Sequence, residues 1–279
     1  MPSLTRLFAT LALVAIIGAA ASGQSVRAED APDAKLQALV AGPQRTPALA
    51  ARDGSRHPYE VLHFFGLKDT MTVVEIWPGG AGYWTEILAP YLHDHGAYYA
   101  ALDEAANASA EAQKSNAAFA AKVAADPTLY DRVKTTEFAA DRHEIAPPGS
   151  ADLVVTFRNV HNWMAAHEDA AAFRAFFKAL KPGGILGLEE HRGLASLPQD
   201  PVAKSGYVRE DYAIALAEAA GFKLLAKSEV NANPRDTKDY AAGVWTLPPV
   251  FRLGQVDRAK YEAIGESDRM VLTFVKPAQ

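Results

Sequence analysis

Residues 70–88 read TMTVVEIWPGGAGYWTEIL, and this stretch limits the possible folds more than any other. TMTVVEIW is a continuous apolar run of strand length, the pattern of a parallel strand buried on both faces. A Pro and three Gly crowd into the next positions, and TEILAPYL then has a helical pattern. A strand that ends in nearly bare backbone before a helix lets a ligand approach main chain that a Cβ would push away. In doubly wound sheets ligands sit at the carboxyl ends of the strands, at such a turn.

The alternation continues along the chain. AYYAAL, VKTTEF, ADLVVTFRNV, ILGLEEH, KLLAKSEV and ESDRMVLTFVKP read as strands. Between them the Ala-rich segment 108–125, closed by Asp126-Pro127, HEDAAAFRAFFKALK and REDYAIALAEAAGF read as helices, and KPGG as a stop signal. An earlier helix is expected from Pro58, with Val61, Leu62, Phe64 and Phe65 on its apolar face. Repeated β–α units predict a Rossmann-like, doubly wound, mostly parallel sheet in a three-layer α/β/α domain. One domain over 51–279 is expected, preceded by a flexible lead-in over 29–50. The long, poorly periodic segment 231–254 is expected to be a lid-like insertion.

The first 28 residues are set apart. After MPSLTR comes LFATLALVAIIGAAA, an uncharged run of fifteen, and then SGQSVRA with small residues at Val26 and Ala28. This is the pattern of a Sec-type signal peptide, too short for a comfortable membrane span. A periplasmic or secreted protein beginning near Glu29 is expected, with no stable membrane span after cleavage. The chain has no cysteine, which removes thiolate catalysis and Cys-based zinc sites. Its net charge of −5 gives no overall basic field, so no nucleic-acid partner is expected.

The glycine turn lacks the spacing of the dinucleotide fingerprint and the Lys-Ser/Thr ending of a P-loop, so no phosphate cradle is indicated. Glu75 precedes the glycines, where it would repel a diphosphate but welcome an ammonium group. Asp103, with Glu104 beside it, follows the next strand, where a carboxylate can accept hydrogen bonds from a ribose diol. A ligand with an amino-acid end and a nucleoside end suits that pair, and S-adenosylmethionine is one.

Here the sequence resembles the class I S-adenosylmethionine-dependent methyltransferases. VVEIWPGGAGYWTEIL stands for their first motif and AYYAALDE for the second. FAADRHEIAPPGSADLVVTFRNVHNW covers the third and fourth, and FFKALKPGGILGLEEHR the fifth. More closely it resembles a group of exported bacterial predicted methyltransferases with RHP ahead of EIWPGG and a GESDRMVL-like segment before the last strand. The likeness spans about residues 52–276.

The resemblance implies that Glu75 and the backbone of Gly79, Gly80 and Gly82 line the methionine part of the cofactor. It implies that Asp103 binds the ribose, that Asp141 approaches the adenine amino group and that Asn159 lies beside the sulfonium. Trp77 departs from the family pattern, which has Gly there. It would either narrow the cofactor slot or pack outward.

His161 and His191, just past the fourth and fifth main strands, are the candidate catalytic residues, each an imidazole able to take a proton from an acceptor or to orient its loop. His57 either covers the cofactor mouth or simply begins a helix. Tyr83, Trp84 and Trp163 are either an apolar wall for a substrate or core. The HDH run at 93–95 lacks a third ligand at suitable spacing, so no metal is expected. Two readings of function stand: an exported methyltransferase acting on an unidentified small-molecule or other acceptor, and a non-catalytic periplasmic binder of a nucleoside-like ligand that keeps the fold. An α/β-hydrolase is disfavoured because no G-x-S-x-G elbow occurs.

Overall fold

The computed structural model describes residues 31–105, 109–139 and 144–278, so the expected signal peptide and Asp141 lie outside the described residues. Among the described residues four short helices come first, α1 Ala34–Val40, α2 Pro47–Ala50, α3 Asp53–Arg56 and α4 Pro58–Phe64. The alternating core follows: β1 Thr72–Ile76, α5 Thr85–Leu92, β2 Ala97–Asp103, α6 Ala110–Ala125, α7 Pro127–Tyr130, β3 Lys134–Phe138 and β4 Ala151–Phe157. Next come α8 Val160–Ala166, α9 Asp169–Ala179, β5 Leu180–His191, α10 Glu210–Ala219, β6 Lys223–Ser228, a 3₁₀ turn at Gly243–Thr246, α11 Arg258–Ile264 and β7 Arg269–Val275.

The seven strands form one sheet in the order β3-β2-β1-β4-β5-β7-β6. All pairings are parallel except those of β7, which runs antiparallel to both β5 and β6. This is the class I methyltransferase arrangement of the Rossmann-like fold, as expected. The order reverses between β1 and β4, and the crevice above that switch point is where such sheets hold ligands.

Alternation along β1 sorts its side chains between two cores. Val74 and Ile76 join Trp163, Phe173 and Phe176 under α8 and α9, whereas Val73 joins Leu36, Leu62, Ile87 and Tyr91 under α1, α4 and α5. The apolar runs of β1, β4 and β7 are continuous because both faces are covered.

Three expectations are corrected. The lead-in is ordered from Asp33 onward. Asp33 caps α1 through the Leu36 N–H, Leu36 is fully buried, and Arg45 is buried against Asp53 and Glu86. An ion pair and one leucine anchor a segment whose composition alone suggested mobility. Secondly, KPGG does not precede β5 but lies within it: Leu180 pairs with Ala151, the register shifts, and pairing resumes at Leu153 with Ile185. Gly183 takes φ 81° there, a conformation open to glycine. Thirdly, Asp126-Pro127 closes one helix and also opens another, since Asp126 caps α7 through the Thr128 N–H. Among the described residues no helix is long and apolar enough to cross a membrane.

Candidate active site

A cavity of about 260 Å³ opens above the carboxyl ends of β1, β4 and β5. Trp77, Gly79, Arg158, Asn159, His161 and His191 line one side of it. Val244, Trp245 and Pro248–Val250, from the long segment after β6, line the other.

The glycines divide sharply. Gly79 has φ 70°, and a Cβ there would meet nothing within 4 Å. It is bare backbone facing open space, the feature a ligand cradle requires. Gly80 and Gly82 are a different matter. A Cβ on Gly80 would lie 2.9 Å from Ser115 O and from the Ala118 Cβ, and one on Gly82 would lie 3.1 Å from Lys122. These two glycines let α6 pack onto the loop; they do not face the cavity, contrary to the expectation.

Glu75 also departs from its expected place. It shares the face of Val73, is 1% exposed, and accepts hydrogen bonds from the Tyr98 hydroxyl at 2.5 Å and the Thr85 hydroxyl at 3.3 Å. Burial pushes its carboxyl up to about 7 despite those two donors, which act the other way. It supports the turn from beneath and is absent from the cavity lining.

Asp103 ends β2, and its backbone carbonyl accepts from the Asn116 amide at 2.9 Å. Partial burial raises its side-chain carboxyl above the usual aspartate value. A half-buried carboxylate in that state gains from hydroxyl donors such as a ribose diol. Asn159 lines the cavity and hydrogen-bonds Ile76 O at 3.1 Å and the Thr156 hydroxyl at 3.2 Å, stapling β4 to the end of β1 across the switch point.

Trp77 occupies the position where the family pattern has glycine, and it adopts glycine's conformation, φ 50°, at a cost of about 1–2 kcal/mol. Its indole packs on the core against Phe138 and Trp163, with ring centroids 5.8 and 5.5 Å away, and the residue also lines the cavity. Trp163 is core. So are Tyr83 and Trp84: Trp84 stacks on Phe157, and Tyr83 donates to Asp53. His57 lies between α3 and α4, with Nδ1 2.9 Å from the Asn231 Oδ1.

His161 and His191 do meet, with ring centroids 5.4 Å apart. Glu190, which the sequence reading missed, binds them together. Its Oε1 lies 3.0 Å from His161 Nδ1 and accepts the His191 N–H at 2.7 Å, and its Oε2 accepts the His161 N–H at 3.3 Å. A carboxylate already accepting two backbone donors makes His161 Nδ1 the protonated nitrogen, which leaves Nε2 as an acceptor. The only sequence signal was that Glu190 adjoins His191. His191 Nδ1 contacts the Ser267 hydroxyl at 2.6 Å. Burial and then the neighbouring His161, Arg158, Arg269 and Arg56 hold its imidazole neutral, well below the ordinary histidine value.

His161, Glu190 and His191 bring ligand atoms within 4.8 Å of one another, a donor set able to hold a divalent metal. The arginines that depress His191 also repel a cation there. Four guanidiniums, from Arg52, Arg56, Arg158 and Arg269, cluster beside this set around the carboxylates of Glu189 and Glu266. Burial and the adjacent Arg158 and Arg52 bring Arg56 down to about 8.

The strand order and the position of the cavity define the class I S-adenosylmethionine-dependent methyltransferase fold. Residues 79–188 match the family described as methyltransferase domain. Among solved structures, a SAM-dependent methyltransferase from Aquifex aeolicus is similar at 16% identity and TM-score 0.54, over 87% of this chain and 97% of that one. The [4+2]-cyclase SpnF matches at 18% identity and TM-score 0.57, over 88% and 92%. The phosphoethanolamine N-methyltransferase 2 of Haemonchus contortus, in complex with S-adenosyl-L-methionine, matches at 15% and TM-score 0.51, over 80% of this chain and 52% of that one. No curated protein matches the chain in sequence.

Proposed function

We propose that the chain is an exported methyltransferase that holds S-adenosylmethionine across the ends of β1, β2 and β4 and passes its methyl group to an acceptor beside His161. The observation that carries the reading is Gly79: left-handed backbone at the switch point, with open space where a Cβ would sit. Asp103 on the next strand and Asn159 across the crevice flank it. Glu75, Gly80 and Gly82 belong to the support of the loop in this reading and not to ligand contact.

The cofactor would supply an activated methyl group on a sulfonium. The chain's own task is then to place a nucleophile in line with it and to keep water out. Trp77, Trp245 and the 244–250 segment wall the cavity with apolar surface. His161 Nε2 is the proton acceptor for an attacking oxygen or nitrogen, and Glu190 holds the opposite ring nitrogen in the required tautomer. His191, kept neutral, orients Ser267. Residues 1–28 serve as a removable export signal.

Isothermal titration of the mature protein with S-adenosylhomocysteine tests the reading. Micromolar binding is expected, weakened about tenfold or more by Asp103→Asn through loss of charge-assisted bonds to the diol. No binding at millimolar ligand would leave the second reading, a binder of some other small ligand. Two observations favour that outcome: Trp77 in place of glycine, and α6 seated on Gly80. Export is checked separately by N-terminal sequencing of protein from the periplasmic fraction, expected to begin at Glu29. A chain retaining Met1 would refute it.

A further inference from the structure

Resting on the methyltransferase reading, we infer that the acceptor carries an acidic group, a carboxylate or a phosphate, received by the Arg158 guanidinium on the β4–β5 side of the cavity. The charge balance behind that wall is uneven. Glu266 is engaged by Arg52 at 2.8 Å and Arg269 at 2.9 Å, with Arg56 at 3.8 Å. Glu189 takes the Asn231 amide at 2.6 Å and otherwise has only Arg269 and Arg158, at 3.7 and 3.8 Å, beyond hydrogen-bond reach. Of the other acids nearby, Asp53 is bound by Arg45 at 2.9 Å and Glu190 is engaged by His161 at 3.0 Å. Four guanidiniums therefore share two carboxylates, and an excess of positive charge stays buried.

The excess shows in unmade bonds. Among the described residues, Nε of Arg56, Arg158 and Arg269 and Nη2 of Arg52 are buried with no hydrogen-bond partner, and so is one acceptor, Oε1 of Glu189, too far from Arg158 and Arg269 to bond them. A buried guanidinium donor left unpaired is costly, and an anion supplies the missing acceptors. Of the four, Arg158 is the one that reaches the cavity, with its side chain 25% exposed. The polar residues lining the cavity near it, His161, His191 and Ser267, carry no negative charge, and the one acid there, Glu266, is already engaged. The Arg fork fits a planar carboxylate or a phosphate better than a point charge would. Arg158 follows β4 and packs toward β5 and β7, away from Asp103 on β2, so the acid it receives belongs to the acceptor's end of the crevice. The donor's own carboxylate offers the same chemistry, and the experiment must separate the two.

Inorganic phosphate is titrated into the mature protein at constant ionic strength, with tryptophan fluorescence as the readout because Trp77 and Trp245 line the cavity. A saturable change is expected. Arg158→Gln weakens it about ten- to a hundredfold, the value of a charge-assisted pair, and keeps the affinity for S-adenosylhomocysteine. Glu189→Gln, which frees Arg158 and Arg269 of their competing carboxylate, tightens phosphate binding severalfold and decides the matter should the arginine variant not fold. Undiminished phosphate affinity with S-adenosylhomocysteine at saturation assigns the site to the acceptor. Displacement of phosphate by that ligand assigns it to the donor's carboxylate and overturns the inference. So does a wild type with no saturable response, an unaffected Arg158→Gln, or a Glu189→Gln that binds no tighter. Failure of S-adenosylhomocysteine to bind wild type is read in its own titration and counts against the methyltransferase reading alone.

Discussion

Replacing Glu75 with Gln should give a protein that gains stability relative to wild type as pH rises from acid to alkaline. The carboxyl is fully buried, and its native pKa is pushed from 4.5 up to about 7. A native state that holds a proton more tightly than the unfolded chain gains stability at low pH. That gain is whole below pH 4.5 and is lost as pH climbs through 7. The shift of roughly 2.5 units corresponds to about 3 kcal/mol, an order-of-magnitude figure. Gln does not titrate, so the Glu75→Gln variant does not lose this stability. Its amide finds Tyr98 and Thr85 imperfectly matched, a fixed cost that drops out when the two proteins are compared across pH. Urea unfolding of both at pH 4.5 and pH 8 should therefore show the variant gaining about 3 kcal/mol on wild type between those values. A difference that stays within about 0.5 kcal/mol across the range, no more than a neutral surface change, would refute the buried neutral carboxyl. Glu75 would then be an ionised group and again a candidate for the cofactor's ammonium.

The two kinds of glycine should separate in binding and stability. Gly80→Ala, with its Cβ driven into Ser115 and Ala118, should cost about 1–3 kcal/mol in denaturant unfolding and leave S-adenosylhomocysteine affinity within a few-fold. Gly79→Ala should do the reverse, losing affinity in titration at a stability cost of about 1–2 kcal/mol for its left-handed backbone. His191 should stay neutral by NMR as pH falls through 6.5, because its native pKa lies well below that value. A depressed imidazole contributes stability that is whole above 6.5 and lost as pH falls, so mild acid should weaken the protein through this residue. A midpoint near 6.5 would remove the cationic surroundings assigned to it.

The sheet was legible because β1, β4, β5 and β7 are runs with apolar residues on both faces, a signal that needs no tertiary knowledge. Period-two alternation also placed Glu75 on the face of Val73, yet the resemblance to a family motif pointed it at the ligand. The identity of its partners, Tyr98 and Thr85, required the strand register. Gly80 and Gly82 look the same as Gly79 in a sequence, and only the position of α6 distinguishes them. His161 was found as a residue following a strand and His191 as one ending a strand. Glu190 was not, since its partner is 29 positions away. The arginine cluster was least visible: its members come from α3, the turn after β4 and β7, and no local pattern connects them. The helices α1 to α3 were missed because Ala- and Pro-rich composition conceals an order that comes from Leu36 and from Arg45 with Glu86.

The place of β7 in the sheet has a consequence for how the chain is made. This strand follows β5 and β6 in the chain, yet it lies between them in the sheet, and among the described strands β6 pairs with it alone. Until residues 269–275 emerge, one side of the sheet has no means of closing, and β6 has nothing to pair with. Closure of that side of the sheet thus waits on the synthesis of residues 269–275. A chain interrupted before residue 269 would carry an open sheet edge at β5 and a stranded β6, the kind of surface that recruits chaperones or aggregates.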